Sequence, residues 1–174
     1  MSAWKSVVIG LSALAVSVRP AVAQAPAAAD QGVRGVLLDH WNDIGNRIVA
    51  MAQDFPEDKY DFRPVAGVRT FADVLRHVGF WNLYVLKTAR GEKIDSAINE
   101  LSKSEYPTKA SIVAVLRSTL GNAAAELKKD AASPSAKHTD LWVSFIEHSG
   151  EHYGQMVVYY RLNGIVPPAS RTGN

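Results

Sequence analysis

Residues 139–163 read TDLWVSFIEHSGEHYGQMVVYYRLN, and the alternation within this run decides the fold. Leu141, Phe145, His148, His152, Met156, Tyr159 and Leu162 recur every three or four residues, the spacing of one helix face. Gly164 follows as a terminator, and Pro167-Pro168 prevents the helix from continuing. Two histidines interrupt an otherwise apolar seam. At i and i+4 both imidazoles leave the same face, with Cβ atoms about 6 Å apart, so two neutral ring nitrogens can meet at one ion. Burying such rings without partners costs roughly 1–3 kcal/mol each. A bound metal, or a dense hydrogen-bond network, offsets that cost.

Working back along the chain, three more segments carry helical periodicity. Residues 30–52 place Val33, Leu37, His40, Ile44, Arg47/Ile48 and Met51 on one stripe, with His40 on or beside it. The second segment opens at Thr70-Phe71-Ala72-Asp73, a hydroxyl at the cap with a carboxylate three residues on, which resembles a capping box. It runs to about Arg90, where Gly91 suits the position after the last turn. Its stripe is Phe71, Val74, Val78, Trp81 and Val85, with His77 on the neighbouring edge. The third segment follows Pro107, covers residues 108–130 and carries Ile112, Leu116, Leu120, Ala123 and Leu127. No segment alternates as a strand does. The expected fold is therefore all-α, a four-helix bundle. Residues 54–69 and 92–106 are long for links between antiparallel neighbours, which predicts long crossover connections.

A third ligand must come from outside the 148/152 pair, and His77, near the buried edge of its own helix, is the candidate. Three protein ligands leave coordination positions open, as in reactive sites, whereas closed structural sites use four. The motif is not the H-E-x-x-H of zinc proteases, because Ser149 follows His148 and the general-base glutamate is missing from its place. Glu151 and Glu147 point off the histidine face; each is either an orienting partner for a ring or a surface carboxylate. His40 is a candidate fourth ligand or proton shuttle, or else a core-edge histidine beside Trp41. His138 falls in the polar 133–139 turn and is expected to be exposed.

The run Phe55-Pro56-Glu57-Asp58-Lys59-Tyr60-Asp61-Phe62-Arg63-Pro64, then Val68-Arg69-Thr70-Phe71 and Leu75-Arg76-His77-Val78, resembles the DinB-like (DNA-damage-inducible) superfamily. So does His148-Ser149-Gly150-Glu151-His152-Tyr153-Gly154-Gln155, with Tyr160-Arg161-Leu162-Asn163-Gly164-Ile165-Val166-Pro167-Pro168 after it. The likeness implies a four-helix bundle with crossovers, often a homodimer, that binds a divalent metal through three histidines. Carried over by motif, these are His77, His148 and His152. Many members have arginine where this chain has Tyr153. Some relatives are thiol-dependent transferases, others hydrolases or isomerases.

The opening residues are read separately. Residues 1–5 are short and basic, residues 7–18 apolar, and Ala21-Val22-Ala23 is a small-x-small cleavage pattern, so residues 1–23 are expected to be a cleavable secretory signal peptide. Residues 24–30 are a flexible Ala/Pro lead-in, residues 31–166 the bundle and residues 167–174 a tail. The expected location is periplasmic or secreted, with no stable membrane span after cleavage. Of the 19 basic residues, Lys5 and Arg19 leave with the signal, and 17 face the 17 acidic residues that remain. No basic cluster or aromatic-basic interleaving survives to follow a phosphate backbone, so nucleic acid is not an expected partner. The absence of cysteine excludes disulfides, thiolate nucleophiles and cysteine-based zinc sites.

The functional expectation is an exported divalent-metal-binding protein, a metal-dependent hydrolase or transferase acting on a small molecule. Its catalytic candidates are Glu151 and His40, and its ion is zinc, nickel, iron or manganese. The alternatives are a non-catalytic periplasmic module that binds metal or a metabolite, and a hydrogen-bonded histidine core without metal.

Overall fold

The computed structural model describes residues 32–171, and the expected signal peptide, the whole lead-in and residues 172–174 of the expected tail lie outside them. Four helices account for most of that range: α1 (Gly32–Asp54), α2 (Phe71–Ala89), α3 (Lys109–Leu127) and α4 (Ala136–Leu162). Two 3-10 turns, Glu57–Lys59 and Pro168–Ser170, complete the elements, and there is no strand among the described residues. None of these helices is long and apolar enough to cross a membrane.

Local chemistry sets the helix ends. Thr70 is the N-cap of α2: its hydroxyl accepts from the Asp73 backbone N–H and the Asp73 carboxylate accepts from the Thr70 N–H, so the predicted capping box is present. The Phe71 and Ala72 N–H groups, which no helical turn can satisfy, donate to the Phe62 and Tyr60 carbonyls at 2.9 Å. A second capping box, unforeseen in the sequence, joins Thr108 and Ser111 at the start of α3. At the far ends, Gly91 and Gly164 adopt left-handed φ of 72° and 70°. The Glu92 N–H reaches back to the Lys87 carbonyl and the Ile165 N–H to that of Tyr160, the backbone closure that a left-handed residue permits.

The helices pack in the ring order α1, α3, α2, α4, which puts α1 and α2 at opposite corners. Trp41 Nε1 donates to the Leu120 carbonyl and Lys109 Nζ to the Phe55 carbonyl, so α1 and α3 are antiparallel. Asn82 meets Thr119, and Arg90 meets Glu126, so α2 and α3 run parallel. Trp41 packs edge-on against Trp142 while Tyr160 Oη donates to the Met51 carbonyl, so α1 and α4 are parallel too. Sequential parallel helices demand a return path. A 19-residue helix is about 28 Å long, and fewer than about nine extended residues could not retrace it. The 92–106 connection is that crossover. The 54–69 connection is not. It stays at one end and folds over the bundle, where Phe55 stacks on Phe71 at 4.0 Å and touches Tyr160 at 4.8 Å.

Burial corrects the phase of two stripes. On α1 the buried line is Leu37, Trp41, Ile48 and Met51, while Val33 and His40 are exposed. Trp41 is the larger apolar group, and turning it inward rotates His40, one residue earlier, out of the core. On α4 the deepest residues are Trp142, Ser149, Met156, Tyr159 and Tyr160; Leu162 is exposed, and Leu141, Phe145, His148 and His152 form a half-buried edge. The α3 stripe is buried as predicted. Past the bundle, Arg171 forks onto both carboxylate oxygens of Asp54 and ties residues 168–171 to α1. His138, expected in a turn, lies in the first turn of α4 with Nδ1 3.3 Å from Asp130.

Thr70→Ala removes the N-cap hydroxyl of α2 and is expected to lower unfolding stability by about 0.5–2 kcal/mol, with Thr70→Ser, which keeps the hydroxyl that both accepts from and donates to Asp73, close to wild type. Urea denaturation followed by circular dichroism reads the difference.

Candidate metal centre

His77 sits on α2 two turns from its N-cap, with its ring turned toward α4. His148 and His152 occupy successive turns of α4 on the edge that faces α2. Because the two helices are antiparallel, the rings meet midway between them. The Nε2 atoms of His77 and His148 are 3.1 Å apart, as are those of His152 and His148. The three candidate ligand nitrogens all lie within 4.8 Å of one another. Nitrogens bound at about 2.05 Å to one tetrahedral ion would stand ~3.3 Å apart, close to the two 3.1 Å spacings around His148.

Each ring's outer nitrogen decides what the inner one can do. The Asn99 backbone carbonyl can only accept, so His77 Nδ1, 2.6 Å away, carries the proton and donates to it. His77 Nε2 is then a lone pair directed into the cluster. For His152 the deduction takes three steps. Tyr159 Oη donates to the Arg69 carbonyl at 2.7 Å, so its oxygen accepts from Gln155 Nε2 at 3.1 Å. That fixes the Gln155 amide with its oxygen toward His152 Nδ1, at 2.9 Å. His152 Nδ1 therefore donates, and its Nε2 lone pair also points inward. Two inward lone pairs beside a third ring nitrogen form a donor set suited to a divalent cation.

The surroundings keep the rings of His77 and His148 neutral. Burial pushes His77 down to about 4, against the pull of the Asn99 carbonyl, and Arg69 and His152 add repulsion. Burial likewise pushes His148 down to about 3, and the two other rings and Arg69 lower it further. Trp81 and Phe145, stacked at 5.3 Å, wall one side of the cluster, each with its ring centroid 5.9 Å from that of His148. Beyond Phe145 a cavity of about 450 Å³ opens between α2 and α4, lined by Tyr84, Leu141, Phe145, Arg90, Lys137 and Ser144 among others.

The structure thus brings His77, His148 and His152 together and leaves the other candidates outside. His40 is exposed and borders a shallow groove with Val36, Val143 and Glu147 on the α1–α4 face. The Glu151 carboxylate is exposed, and neither it nor Glu147 reaches a ring. The roles offered to the glutamates as ring partners fall instead to Asn99 and Gln155. Gln155, three residues after His152 on the same helix, was within reach of a spacing argument. Asn99 acts through its backbone, for which its side chain carries no signal.

A family model described as the DinB superfamily matches residues 40–156, more than half of the chain and a span that includes all three histidines. No curated protein and no solved structure matches.

In metal-free protein, ring NMR titration should find His77 and His148 neutral until the pH nears about 4 and about 3. The unfolded chain takes up those protons near ~6.5, so stability should fall as pH drops below that value and level off near the folded values. Gln155→Leu deprives His152 Nδ1 of its acceptor and should weaken zinc binding about 10–100-fold by competitive chelator titration.

Proposed function

The chain belongs to the DinB superfamily, and from that premise we propose that it is an exported protein that holds one divalent metal ion through His77, His148 and His152 and uses it in a hydrolytic or group-transfer reaction on a small molecule. One observation carries the reading: three imidazole Nε2 atoms converge between α2 and α4, two of them with outer N–H groups already engaged by oxygen acceptors. No partner in the cluster exhausts all three inner nitrogens. An ion there would supply Lewis acidity toward a substrate carbonyl or a water molecule. An all-nitrogen donor set suits zinc, nickel or iron better than manganese, which prefers oxygen.

The chain's own residues supply the remaining functions. The three rings fix the ion's position from two helices. Trp81 and Phe145 exclude water from one side, which strengthens electrostatic interactions at the centre. The cavity beyond Phe145 is of a size to seat a small molecule, and it shares that ring with the His148 side of the cluster. The exported location rests on the sequence pattern of residues 1–23.

A second reading, non-catalytic capture of metal or a metabolite, is favoured by one specific fact. Among the described residues no carboxylate contacts any of the three rings, so no general base is in place beside them. Water relaxation measured on the nickel- or manganese-loaded protein separates the two: rapidly exchanging water at the ion supports the enzyme, and its absence supports capture.

Protein purified without an affinity tag of histidines should contain about one divalent ion per chain, and His148→Ala should lose it. Zinc added to chelator-stripped protein should raise the melting temperature by mass action. Unchanged metal content in His148→Ala, or no thermal shift with zinc, nickel or iron, overturns the assignment.

A further inference from the structure

We propose that Arg69 is a positioning residue for the metal centre, fixing the ring orientation and tautomer of His77 through its side chain and of His152 through its backbone carbonyl. The inference rests on the reading of the three histidines as metal ligands, and on hydrogen bonds that converge on one residue belonging to neither ligand helix.

Arg69 immediately precedes Thr70, the N-cap of α2, so the capping box fixes its backbone. From there it faces two ways. Its guanidinium donates from Nε to Glu100 Oε2 at 3.1 Å and from Nη2 to Asn99 Oδ1 at 3.0 Å, clamping two successive residues of the crossover. Asn99 has φ of 46°, in the left-handed region that asparagine enters more readily than other non-glycine residues. The clamp holds it there, and its carbonyl in consequence faces His77 Nδ1. In the other direction the Arg69 carbonyl accepts from Tyr159, which orders Gln155, which orders His152. Outside the histidine cluster itself, the two chains meet at Arg69.

The contribution of Arg69 is geometric. Its side chain is 37% exposed, so water screens its charge. That charge also opposes a cation at the cluster and disfavours protonation of His77 and His148. An arginine kept beside a cation site therefore needs a role its charge does not fill. The planar fork supplies one, since it spans two acceptors in fixed register; a lysine ammonium on a flexible stem cannot.

The test uses the whole mature chain and two readouts. Ring 15N NMR of the metal-free protein reports each histidine tautomer, and chelator competition reports zinc affinity. Arg69→Lys keeps the charge and loses the fork. It should mix the His77 tautomers while leaving the His152 ring signals in place, and weaken zinc binding about 10–100-fold. Asn99→Gly keeps the left-handed backbone and the carbonyl but lacks Oδ1, and should reproduce both effects. Combined, the two should bind zinc no more weakly than the weaker single variant, because both break one chain. Tyr159→Phe should disturb the His152 ring and spare His77. Unaltered His77 ring signals in Arg69→Lys, or additive losses in the double variant, overturn the proposal. If Arg69→Lys does not fold, Asn99→Gly decides the His77 arm alone. A wild-type chain that binds no zinc defeats the metal reading, while the tautomer data still judge Arg69.

Discussion

An imidazole that turns one nitrogen's lone pair inward must carry its proton on the other, and a buried N–H needs an oxygen to receive it. The centre between α2 and α4 is organised around that requirement. Two of its three rings have their acceptors in place, and neither is a carboxylate. A backbone carbonyl from the crossover serves His77, and a side-chain amide from α4 itself serves His152. Neutral acceptors hold the rings in position without adding negative charge.

The topology follows from where those acceptors must come from. An up-and-down bundle would join α2 to α3 by a short turn and would place no loop beside the middle of α2. Running α2 and α3 in the same direction forces the chain back along the bundle. On the way the Leu101 N–H bonds to the Arg76 carbonyl, and Arg76 Nη1 donates to the carbonyl of Tyr106. The guanidinium of Arg76 is almost wholly buried, paired with Asp73, and stitches the crossover to the first turns of α2. The connection is thereby a fixed wall of the site.

What could be read in advance follows the same division. His148 and His152 were legible because helical spacing is geometric and any two residues four apart share a face. His77 was legible because an edge position can be inferred from the stripe beside it. The α3 stripe and the Thr70 cap were legible for similar reasons, since both depend on neighbours in sequence. The phase of α1 was not, because Trp41 and His40 point about 100° apart and cannot both face the core, and the partner helix, with Trp142, settles the choice. Asn99 and Arg69 were hidden more deeply. Their part is played through backbone carbonyls and a contact 30 residues away in the chain, and a side-chain pattern records neither.

The separation of 71 in sequence between His77 and His148 has a consequence for how the molecule matures. Helix α2 can form its capping box early, and the crossover can settle against it, yet no pair of candidate ligands drawn from different helices exists until α4 arrives. A chain that has not docked its last helix offers an ion only isolated imidazoles. Convergence of the three rings is thus tied to completion of the bundle, since it requires α4 to have found its place.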